Sequence, residues 1–325
     1  MKATAIAPSN IAFIKYWGRK DEVLRLPENG SLSMNLSGLH TTTTVEFSPE
    51  YKNDSIEING TQESKEGSRA IKHLDRVRAI AKISLCAKVV SKNNFPIGTG
   101  LSSSASGFAA LTVAAASAAG LKLSEKDLSI LARQGSGSAC RSIPDGFVEW
   151  MDGDTSDTTY SKSLYPSNYW DLVDVVAVVS EGRKDVATSD GQKLIESSPF
   201  FQVRKSHIQE RLELAKKLLF EKNFQQFGEL IEAEALELHA IMLTSRPSLI
   251  YWTPGTLLIM KLTKKWRKEG IPVYFTINTG QDIHLICEKD TVGSVKDKLS
   301  EIPEVKNIIV NFPAAGTKLN DIHLF

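Results

Sequence analysis

The sequence predicts a two-lobed protein in which strands and helices are mixed, and three observations support that prediction. The chain has 325 residues, enough for about two domains of ordinary size. Strand patterns alternate with short helical patterns in its first half, whereas amphipathic helices dominate its second half. A polar segment with helix-breaking residues, 181–200, separates the halves. We therefore expect one lobe over residues 1–181 and a second over 182–325.

The first half reads as strands interleaved with helices. A strand is expected over residues 3–14, broken at Pro8, and another over 41–47, where β-branched residues alternate with others. Apolar residues at helical spacing predict a helix over 67–82. The remaining predicted elements of this lobe are strand 83–91, an alanine-rich helix 104–119, helix 125–135 and a closing strand 172–180. Small residues should let the alanine-rich helix pack closely on a sheet.

The second half is predicted to be helix-rich. Three segments place apolar residues on one helical face, namely 203–221, 223–242 and 255–268. Two strands are expected on either side of a polar turn, at 272–277 and 283–287. A last helix and strand should occupy residues 290–311.

The composition is that of an ordinary globular protein. Apolar residues make up 42% of the chain and charged residues 24%, which disfavours disorder and a coiled coil. Lysine plus arginine number 39 and aspartate plus glutamate 38, so the net charge is +1. That balance lacks the basic excess of a nucleic-acid-binding surface. The widely spaced Cys86, Cys140 and Cys287 argue against a disulfide framework or a structural zinc site.

The hydropathy pattern gives no sign of a membrane protein. No apolar stretch approaches the roughly 18 residues of a membrane span, and the N-terminal residues lack the apolar core of a signal peptide. We therefore expect no nucleic-acid partner and no membrane partner. Together these features favour a cytoplasmic enzyme over a scaffold.

The strongest functional signal is the segment 96–107, PIGTGLSSSASG, between a predicted strand and the alanine-rich helix. Its glycines let backbone N–H groups approach an anion, and a helix N-terminus adds partial positive charge. It is not a Walker loop, because no Gly-Lys followed by Ser or Thr is present. It is not a dinucleotide fingerprint either, because its glycines are spaced differently. Serine hydroxyls here can bind phosphate oxygens or Mg²⁺. The alternative is a helix N-cap with a flexible turn.

Two further segments combine cations with small or aromatic residues. In 15–21, KYWGRKD, Lys15 and Arg19 can hold an anionic substrate while Tyr16 shapes the pocket. Alternatively, its aromatics are core residues and its cations are solvated. In 136–142, SGSACRS, a turn of small residues presents one guanidinium, which binds oxyanions through two hydrogen bonds. A structural turn is the alternative for this segment.

In order, spacing and wording, several segments resemble the mevalonate-type decarboxylases of the GHMP small-molecule kinase superfamily, the diphosphomevalonate and phosphomevalonate decarboxylases. The matching segments are APSNIAFIKYWGRKD, LPENGSLSMNL, NNFPIGTGLSSSASGFAAL, GSGSACRS, KDVATSDG and YFTINTGQDIHLI. The resemblance implies an α+β, GHMP-kinase-like two-lobed fold, with a ribosomal-S5-like N-terminal α/β lobe and a C-terminal lobe of helices on an antiparallel sheet. By the same analogy we expect a homodimer.

The resemblance also implies a reaction and a set of site residues. ATP phosphorylates the C3 hydroxyl of a 5-phosphorylated mevalonate, and the 3-phosphate then leaves as CO₂ departs. The catalytic positions are Lys15, Arg141 and Asn278. The implied substrate-binding residues are Tyr16, Trp17, Gly18, Arg19, Arg69, Ser136, Gly137, Ser138, Ala139, Cys140 and Thr188. The implied ATP-binding residues are Gly98, Gly100, Leu101, Ser102, Ser103 and Ser104, with Mg²⁺ at Ser103.

The chain departs from the family pattern at four positions. Asn278 stands where the family has its catalytic aspartate, and an amide cannot accept a proton as a base, a loss typically worth about 10² to 10⁴ in rate. Asp282 is a candidate to compensate. Arg19 replaces the usual lysine, Thr188 the usual serine and Gln192 the usual methionine.

Three functions therefore stay open. The first is decarboxylation of diphosphomevalonate or of its monophosphate. The second, motivated by Asn278, is a kinase that stops at the 3-phosphate. The third is a binding protein without turnover. We expect His239 and His284 to be structural residues.

Overall fold

The computed structural model describes residues 1–63, 68–95, 100–180, 182 and 185–325. Within them the chain forms two large sheets, a small hairpin and eight α-helices. The α+β, two-lobed architecture predicted from the sequence is confirmed.

The first sheet has eight strands within the described residues. They are β1 Lys2–Ile14, β4 Ser31–Ser48, β5 Ser55–Ile58, β6 Thr61–Gln62, β7 Cys86–Asn93, β8 Phe147–Trp150, β9 Ser161–Tyr165 and β14 Lys318–Asn320. The order is β14-β1-β4-β7-β5-β6, with β8 and β9 added beside β4. Two short strands, β2 Arg19–Asp21 and β3 Leu26–Pro27, form a separate hairpin.

The β1 strand runs through Pro8, so the predicted break there is wrong. The chain accommodates Pro8 by a shift of register against β4 between Pro8 and Ser9. The β4 strand begins ten residues before the predicted 41–47 segment. Its early part escaped prediction because polar residues such as Asn35 are buried there and bond to backbone carbonyls.

Three helices, α1 Arg69–Ala81, α2 Ser103–Ala118 and α3 Glu125–Gly135, belong to the same lobe and confirm the predictions for these segments. The α2 helix packs on β1 and β4 through buried alanines. Small side chains allow this close approach of helix and sheet. The α3 helix begins at a capping box formed by Ser124 and Asp127.

The second sheet is antiparallel, with the order β11-β12-β10-β13. Its strands are β10 Leu172–Val178, β11 Val273–Thr276, β12 Ile283–Glu288 and β13 Asn307–Asn311. The helices of this half are α4 Thr188–Gly191, α5 Phe201–Glu221, α6 Phe224–Thr244, α7 Pro254–Lys268 and α8 Val292–Ser300. The predicted helices 203–221, 223–242 and 255–268 are thus confirmed. None of the helices in the described part of the chain is both long and apolar enough to cross a bilayer.

The β10 strand lies in this second sheet, so the prediction that it closes the first lobe is wrong. Strand pairing is non-local, and an apolar run carries no information about which sheet receives it. At the other end of the chain, β13 pairs in the second sheet and β14 in the first. The division at 181/182 stays a prediction, and the position of β10 favours an earlier one.

One hydrophobic core joins the two halves. The end of β1 contributes Ile11 and Phe13, and the ring of Phe13 meets that of Phe227 on α6 at 5.0 Å. Val176 of the second sheet belongs to the same core. Since Lys15 follows directly on β1, this core fixes its backbone between the lobes.

Candidate active site

A cavity of about 370 Å³ opens where β1 ends. It lies between the N-terminus of α2, the 3₁₀ helix Gly137–Ser142 and the turn that follows β11. The predicted site residues that line it are Lys15, Tyr16, Arg19, Arg69, Gly100, Ser102, Ser103, Ser104, Ser136, Gly137, Ser138, Arg141, Thr188 and Asn278. Three motifs that lie far apart in the sequence therefore meet around one space.

Other predicted site residues do not line this cavity. Gly98 lies outside the described residues. The remaining ones are Trp17, Gly18, Leu101, Ala139 and Cys140, and their contact with a ligand stays a prediction. All five are buried. Trp17 is fully buried in a core with Ile195 and Leu249.

Gly18 and Cys140 illustrate the surroundings of these buried residues. The backbone N–H of Gly18 donates to Oε1 of Gln192 at 3.1 Å, which connects the KYWGRKD segment to the segment after α4. Gln192, noted above only as a departure, itself lines the cavity. Burial raises the pKa of the Cys140 thiol to about 11, so it is not a nucleophile at neutral pH.

Three guanidinium groups, from Arg19, Arg25 and Arg69, line the cavity together. Burial, together with the charges of Arg19 and Arg69, lowers the pKa of Arg25 to about 10. Arg19 donates to the hydroxyl of Tyr16 at 2.8 Å, and Arg69 donates to the carbonyl of Gly135 at 2.9 Å. Sequence reasoning missed Arg25 because it stands in an ordinary turn before β3, outside the motifs. Arg19 also pairs with Glu22 at 2.6 Å, and the positive charges that remain on one lining favour a multiply charged anion.

The guanidinium of Arg141 is buried without a counter-charge. It donates to Oδ1 of Asn10 at 3.1 Å and to Oγ of Ser31 at 2.9 Å. Within the described residues no carboxylate lies at salt-bridge distance, and burial lowers the pKa of Arg141. Arginine remains charged all the same, so this group is prepared to receive an oxyanion from the cavity.

The amine of Lys15 is also buried, with 2% of the residue exposed. Its Nζ donates to the carbonyl of Ala12 at 2.6 Å and to Oδ1 of Asn278 at 3.2 Å. Burial lowers the pKa of Lys15 to about 7, with Glu234 opposing the shift and Arg141 adding to it. Near neutral pH the group can therefore either carry or release a proton.

The backbone of Lys15 is held by a buried charge network. Its N–H donates to Oε1 of Glu234 at 2.9 Å, and its carbonyl accepts from Arg204 at 3.0 Å. Arg204 in turn pairs with Glu234 at 2.6 Å and with Glu237 at 2.8 Å. These bonds come from α5 and α6, so the second lobe positions the lysine of the first.

Asn278 connects the two sides of the cavity. Its Oδ1 accepts from Lys15, and its Nδ2 donates to Oγ of Ser102 at 3.1 Å. Its carbonyl lies 3.0 Å from Nε2 of the buried His239, whose structural role stays a prediction. Asp282 does not compensate for the missing carboxylate, because it lies outside the cavity and accepts from the N–H of Val179 at 3.0 Å.

Residues 100–104, called the serine loop from here on, closely approach the turn that contains Asn278. A Cβ at Gly100 would lie 2.7 Å from the Cα of Gly280, and Gly100 has a φ of +114°, so the position requires glycine. Ser103 and Ser104 begin α2, whose free N–H groups and dipole favour an anion. The loop can therefore carry a phosphate toward Lys15.

A second cavity of about 430 Å³ adjoins the first and shares Arg69, Ser103 and Ser104 with it. Its lining mixes apolar side chains with polar ones, including Ile56, Val89, Phe108, Ser91 and Asn93. Ser68 also lines it, and its buried Oγ has no hydrogen-bond partner among the described residues. A space that is apolar along part of its lining, has one unsatisfied hydroxyl and ends at Ser103 and Ser104 fits a nucleotide.

The site offers Mg²⁺ hydroxyl oxygens rather than carboxylates. Within the described residues, no three His, Cys, Asp or Glu side chains form a metal-binding group. Since Mg²⁺ in phosphate-transfer sites takes many of its ligands from the substrate phosphates and water, the hydroxyl of Ser103 fits such an ion when nucleotide is bound.

Comparison with known proteins agrees with this geometry. Residues 7–161 match the profile of the diphosphomevalonate decarboxylase-like N-terminal domain. Residues 174–318 match that of the mevalonate 5-diphosphate decarboxylase C-terminal domain. The diphosphomevalonate decarboxylase of Ganoderma lucidum is 33% identical over 100% of this chain and 85% of its own length. The phosphomevalonate decarboxylase of Haloferax volcanii is 32% identical over 93% of each chain.

Solved structures share the fold. The structure described as MDDEF in complex with MVAPP, AMPPCP and magnesium superposes with a TM-score of 0.92 at 39% identity, over 98% of this chain and 99% of that one. A structure of the mevalonate diphosphate decarboxylase from Enterococcus faecalis gives a TM-score of 0.91 at 37% identity, over 98% and 99%. The fold is therefore GHMP-kinase-like, and the chain belongs to the diphosphomevalonate decarboxylase family.

Proposed function

We propose that this chain catalyses the ATP-dependent decarboxylation of (R)-5-diphosphomevalonate to isopentenyl diphosphate, with ADP, phosphate and CO₂ as the other products. One observation carries the proposal: Lys15, Arg141 and the serines at the start of α2 share a cavity whose described lining residues include no aspartate or glutamate. Such a space suits a substrate that is anionic at several positions. The family membership, and the MVAPP, AMPPCP and magnesium bound to a relative, agree with it.

In the first half-reaction, ATP would occupy the second cavity with its phosphates at the serine loop. Ser103 and Ser104 line both cavities, so a terminal phosphate there would face the substrate. Phosphoryl transfer depends mainly on positioning and on neutralisation of charge. Mg²⁺, held by Ser103 and the phosphates, would supply part of that neutralisation.

In the second half-reaction, the C3–O bond breaks and the electrons of the bond to the carboxylate carbon form the new double bond. Arg141 would hold the carboxylate before it leaves as CO₂. Lys15 would stabilise the negative charge that grows on the departing phosphate. Neither group is paired with an acid in the described residues, so both are available to these charges.

We propose a diphosphate rather than a monophosphate at the 5-position. Burial lowers the pKa of Arg25, and the positive charges of Arg19 and Arg69 lower it further, so the three guanidinium groups repel one another. Two linked phosphates relieve that repulsion better than one, because they bring more negative charge and more acceptor oxygens. The monophosphate remains the competing substrate to be tested.

The experiment is a stoichiometric assay. The purified chain is given ATP, Mg²⁺ and carboxyl-labelled (R)-5-diphosphomevalonate or its monophosphate, and ADP and labelled CO₂ are counted. We expect equal amounts of both products, with a higher kcat/KM for the diphosphate. Absence of ADP with both substrates would overturn the proposal.

Asn278 favours one second candidate, a kinase that stops at the 3-phosphate. The amide contacts Lys15 and Ser102, as described above, and brings no negative charge to the site. In the same assay this candidate predicts ADP without CO₂, and a product that retains the labelled carboxylate.

We also propose that the chain functions as a homodimer in the cytoplasm. The dimer is inferred from the family analogy alone. The cytoplasmic location is inferred from the supply of ATP there. Light scattering of the purified chain and cell fractionation test the two statements separately.

A further inference from the structure

The described lining of the cavity lacks a carboxylate that could act as the base in phosphoryl transfer to a hydroxyl. No aspartate or glutamate lines it within the described residues. Both carboxylate oxygens of Glu234 are engaged, by Lys15 N–H, Arg204 and Arg211. Asp282 accepts from the backbone of Val179, as noted above. The proton of the substrate hydroxyl therefore needs another acceptor.

Lys15 is the titratable amine at this place. Its Nζ has a carbon and two hydrogen-bond acceptors around it, the carbonyl of Ala12 and Oδ1 of Asn278. A tetrahedral nitrogen has one position left. In the ammonium form that position is a third N–H, whereas in the neutral amine it is a lone pair. The neutral amine can donate to both protein acceptors, and its lone pair remains as a base at the cavity.

Asn278 fits this role of the amine better than an aspartate would. Its Nδ2 bond to Ser102 turns the amide oxygen toward Lys15, so the residue orients the amine without adding charge. A carboxylate at the same place would favour the ammonium form. The departure from the family pattern and the buried lysine are thus consistent with one another.

The charged and titratable groups that face Lys15 act in both directions: Arg141 and Arg204 favour the neutral amine, whereas Glu234 and Asp174 favour the ammonium. These groups are Glu234 and His239 on α6, Arg204 on α5, Arg141 in the 3₁₀ helix and Asp174 on β10. His239 is uncharged at neutral pH, because burial lowers its pKa to about 3. Burial, the largest effect on Lys15, brings the lysine pKa to about 7, so a substantial fraction of the amine is free at neutral pH.

We propose that Lys15 is the general base of the phosphorylation step, taking the proton that Asn278 cannot accept. This inference rests on the proposed function. The O–H bond of the C3 hydroxyl breaks, and its oxygen forms a bond to the γ-phosphorus. The bond from that phosphorus to the β-phosphate oxygen breaks, releasing ADP. The proton stays on Nζ, and the resulting ammonium then faces the 3-phosphate as it leaves.

The test separates a base from a fixed positive charge. Lys15→Arg retains a cation but removes a group that can titrate near neutral pH. We expect ADP formation to fall by about 10² to 10⁴. The dissociation constant for diphosphomevalonate, measured by calorimetry, should stay near that of the unmodified chain. Full ADP formation by Lys15→Arg would overturn the inference.

A second variant keeps the test independent of folding. Asn278→Asp introduces a carboxylate that can serve as base, so the double variant Lys15→Arg with Asn278→Asp should recover ADP formation relative to Lys15→Arg. A merely structural role of Lys15 predicts no recovery. A double variant that binds both substrates but remains as slow as the single variant would contradict the proposal.

The pH profile gives the third readout. For the unmodified chain, kcat/KM for ADP release should rise with pH with a midpoint near 7, the value for Lys15. In the Asn278→Asp variant, the rise of kcat/KM with pH should move to lower pH, because a carboxylate has a lower pKa than this amine. An unmoved midpoint overturns the role of Lys15. Absence of ADP release by the unmodified chain instead overturns the proposed function itself.

Discussion

Two groups of buried charges flank Lys15, and they are built in opposite ways. Behind it, Arg204 and Arg211 pair with Glu234 and Glu237 at 2.6 to 2.8 Å. In front of it, the cations that line the cavity face no acid from the lining within the described residues. The paired group satisfies its own charges and holds the backbone, whereas in the cavity group only Arg19 has an acidic partner, Glu22, and Lys15 and Arg141 keep their charges for a ligand. The paired group therefore contributes stability on one side of Lys15, and the cavity group provides ligand binding on the other side.

The largest effect should come from breaking the paired group. Glu234→Gln removes the charge shared by the buried Arg204 and the half-buried Arg211, and Glu234 itself is fully buried. Removing one partner of a buried pair typically costs about 3 to 5 kcal/mol. We expect a loss of this size in the free energy of unfolding, measured with denaturant. The hydrogen bond from Lys15 N–H should survive in this variant, since an amide oxygen also accepts.

The matched control is Glu237→Gln. Its side chain is 22% exposed, so water can solvate the groups left unpaired, and its cost should be clearly smaller. Equal losses for the two variants would contradict the claim that the buried member carries the network.

The next largest effect concerns Arg141 in the cavity group. Arg141→Gln should slow CO₂ release by about 10² to 10³, the usual cost of losing one donor to a developing charge. The free energy of unfolding should stay level or rise, because an unpaired buried charge is removed. Labelled CO₂ and denaturant unfolding measure the two quantities. A large loss of stability with normal CO₂ release would place Arg141 in the structural group instead.

A smaller effect is expected at Arg25, and it sharpens the choice of substrate. Hydrogen bonds to charged groups contribute about 1.5 to 3 kcal/mol. Arg25→Gln should therefore raise KM for diphosphomevalonate by about 10 to 100-fold, with a smaller rise for the monophosphate. Equal changes for the two substrates would argue that Arg25 does not contact the additional phosphate. Arg76→Gln, outside the lining of the cavity, serves as the control.

Sequence patterns predicted the local parts of this site and failed on the non-local ones. The serine loop and the turn before Arg141 were found because each is a contiguous run with its own backbone chemistry. Arg25 was missed because only the β2–β3 hairpin brings it to the cavity. Trp17, a predicted substrate-binding residue, is buried in the core, and an aromatic among cations does not reveal in the sequence which way it faces. The same limit explains the misplaced β10.

The smallest effect tests a buried group outside both charge clusters. Burial lowers the pKa of His73 from 6.5 to about 3, and its Nε2 lies 2.8 Å from the hydroxyl of Thr112. Because the folded pKa is lowered, the unfolded chain binds more protons between these values. The stabilisation is complete above pH 6.5 and is lost as pH falls toward 3. Each such histidine should lower the free energy of unfolding by about 1.4 kcal/mol per pH unit in that window.

His239 has the same lowered pKa and should contribute equally, so the slope of the unmodified chain reflects both histidines. Replacing His73 by glutamine, which can still bond to Thr112 but does not titrate, should reduce that slope by about one proton's share. Denaturant unfolding between about pH 6 and pH 5 measures it, within about one unit of the histidine pKa in an unfolded chain. An unchanged slope in His73→Gln would mean that the histidine is already protonated in the folded protein. A protonated His73 beside α2 would then be a third kind of buried charge, in addition to the paired group and the group that faces a ligand.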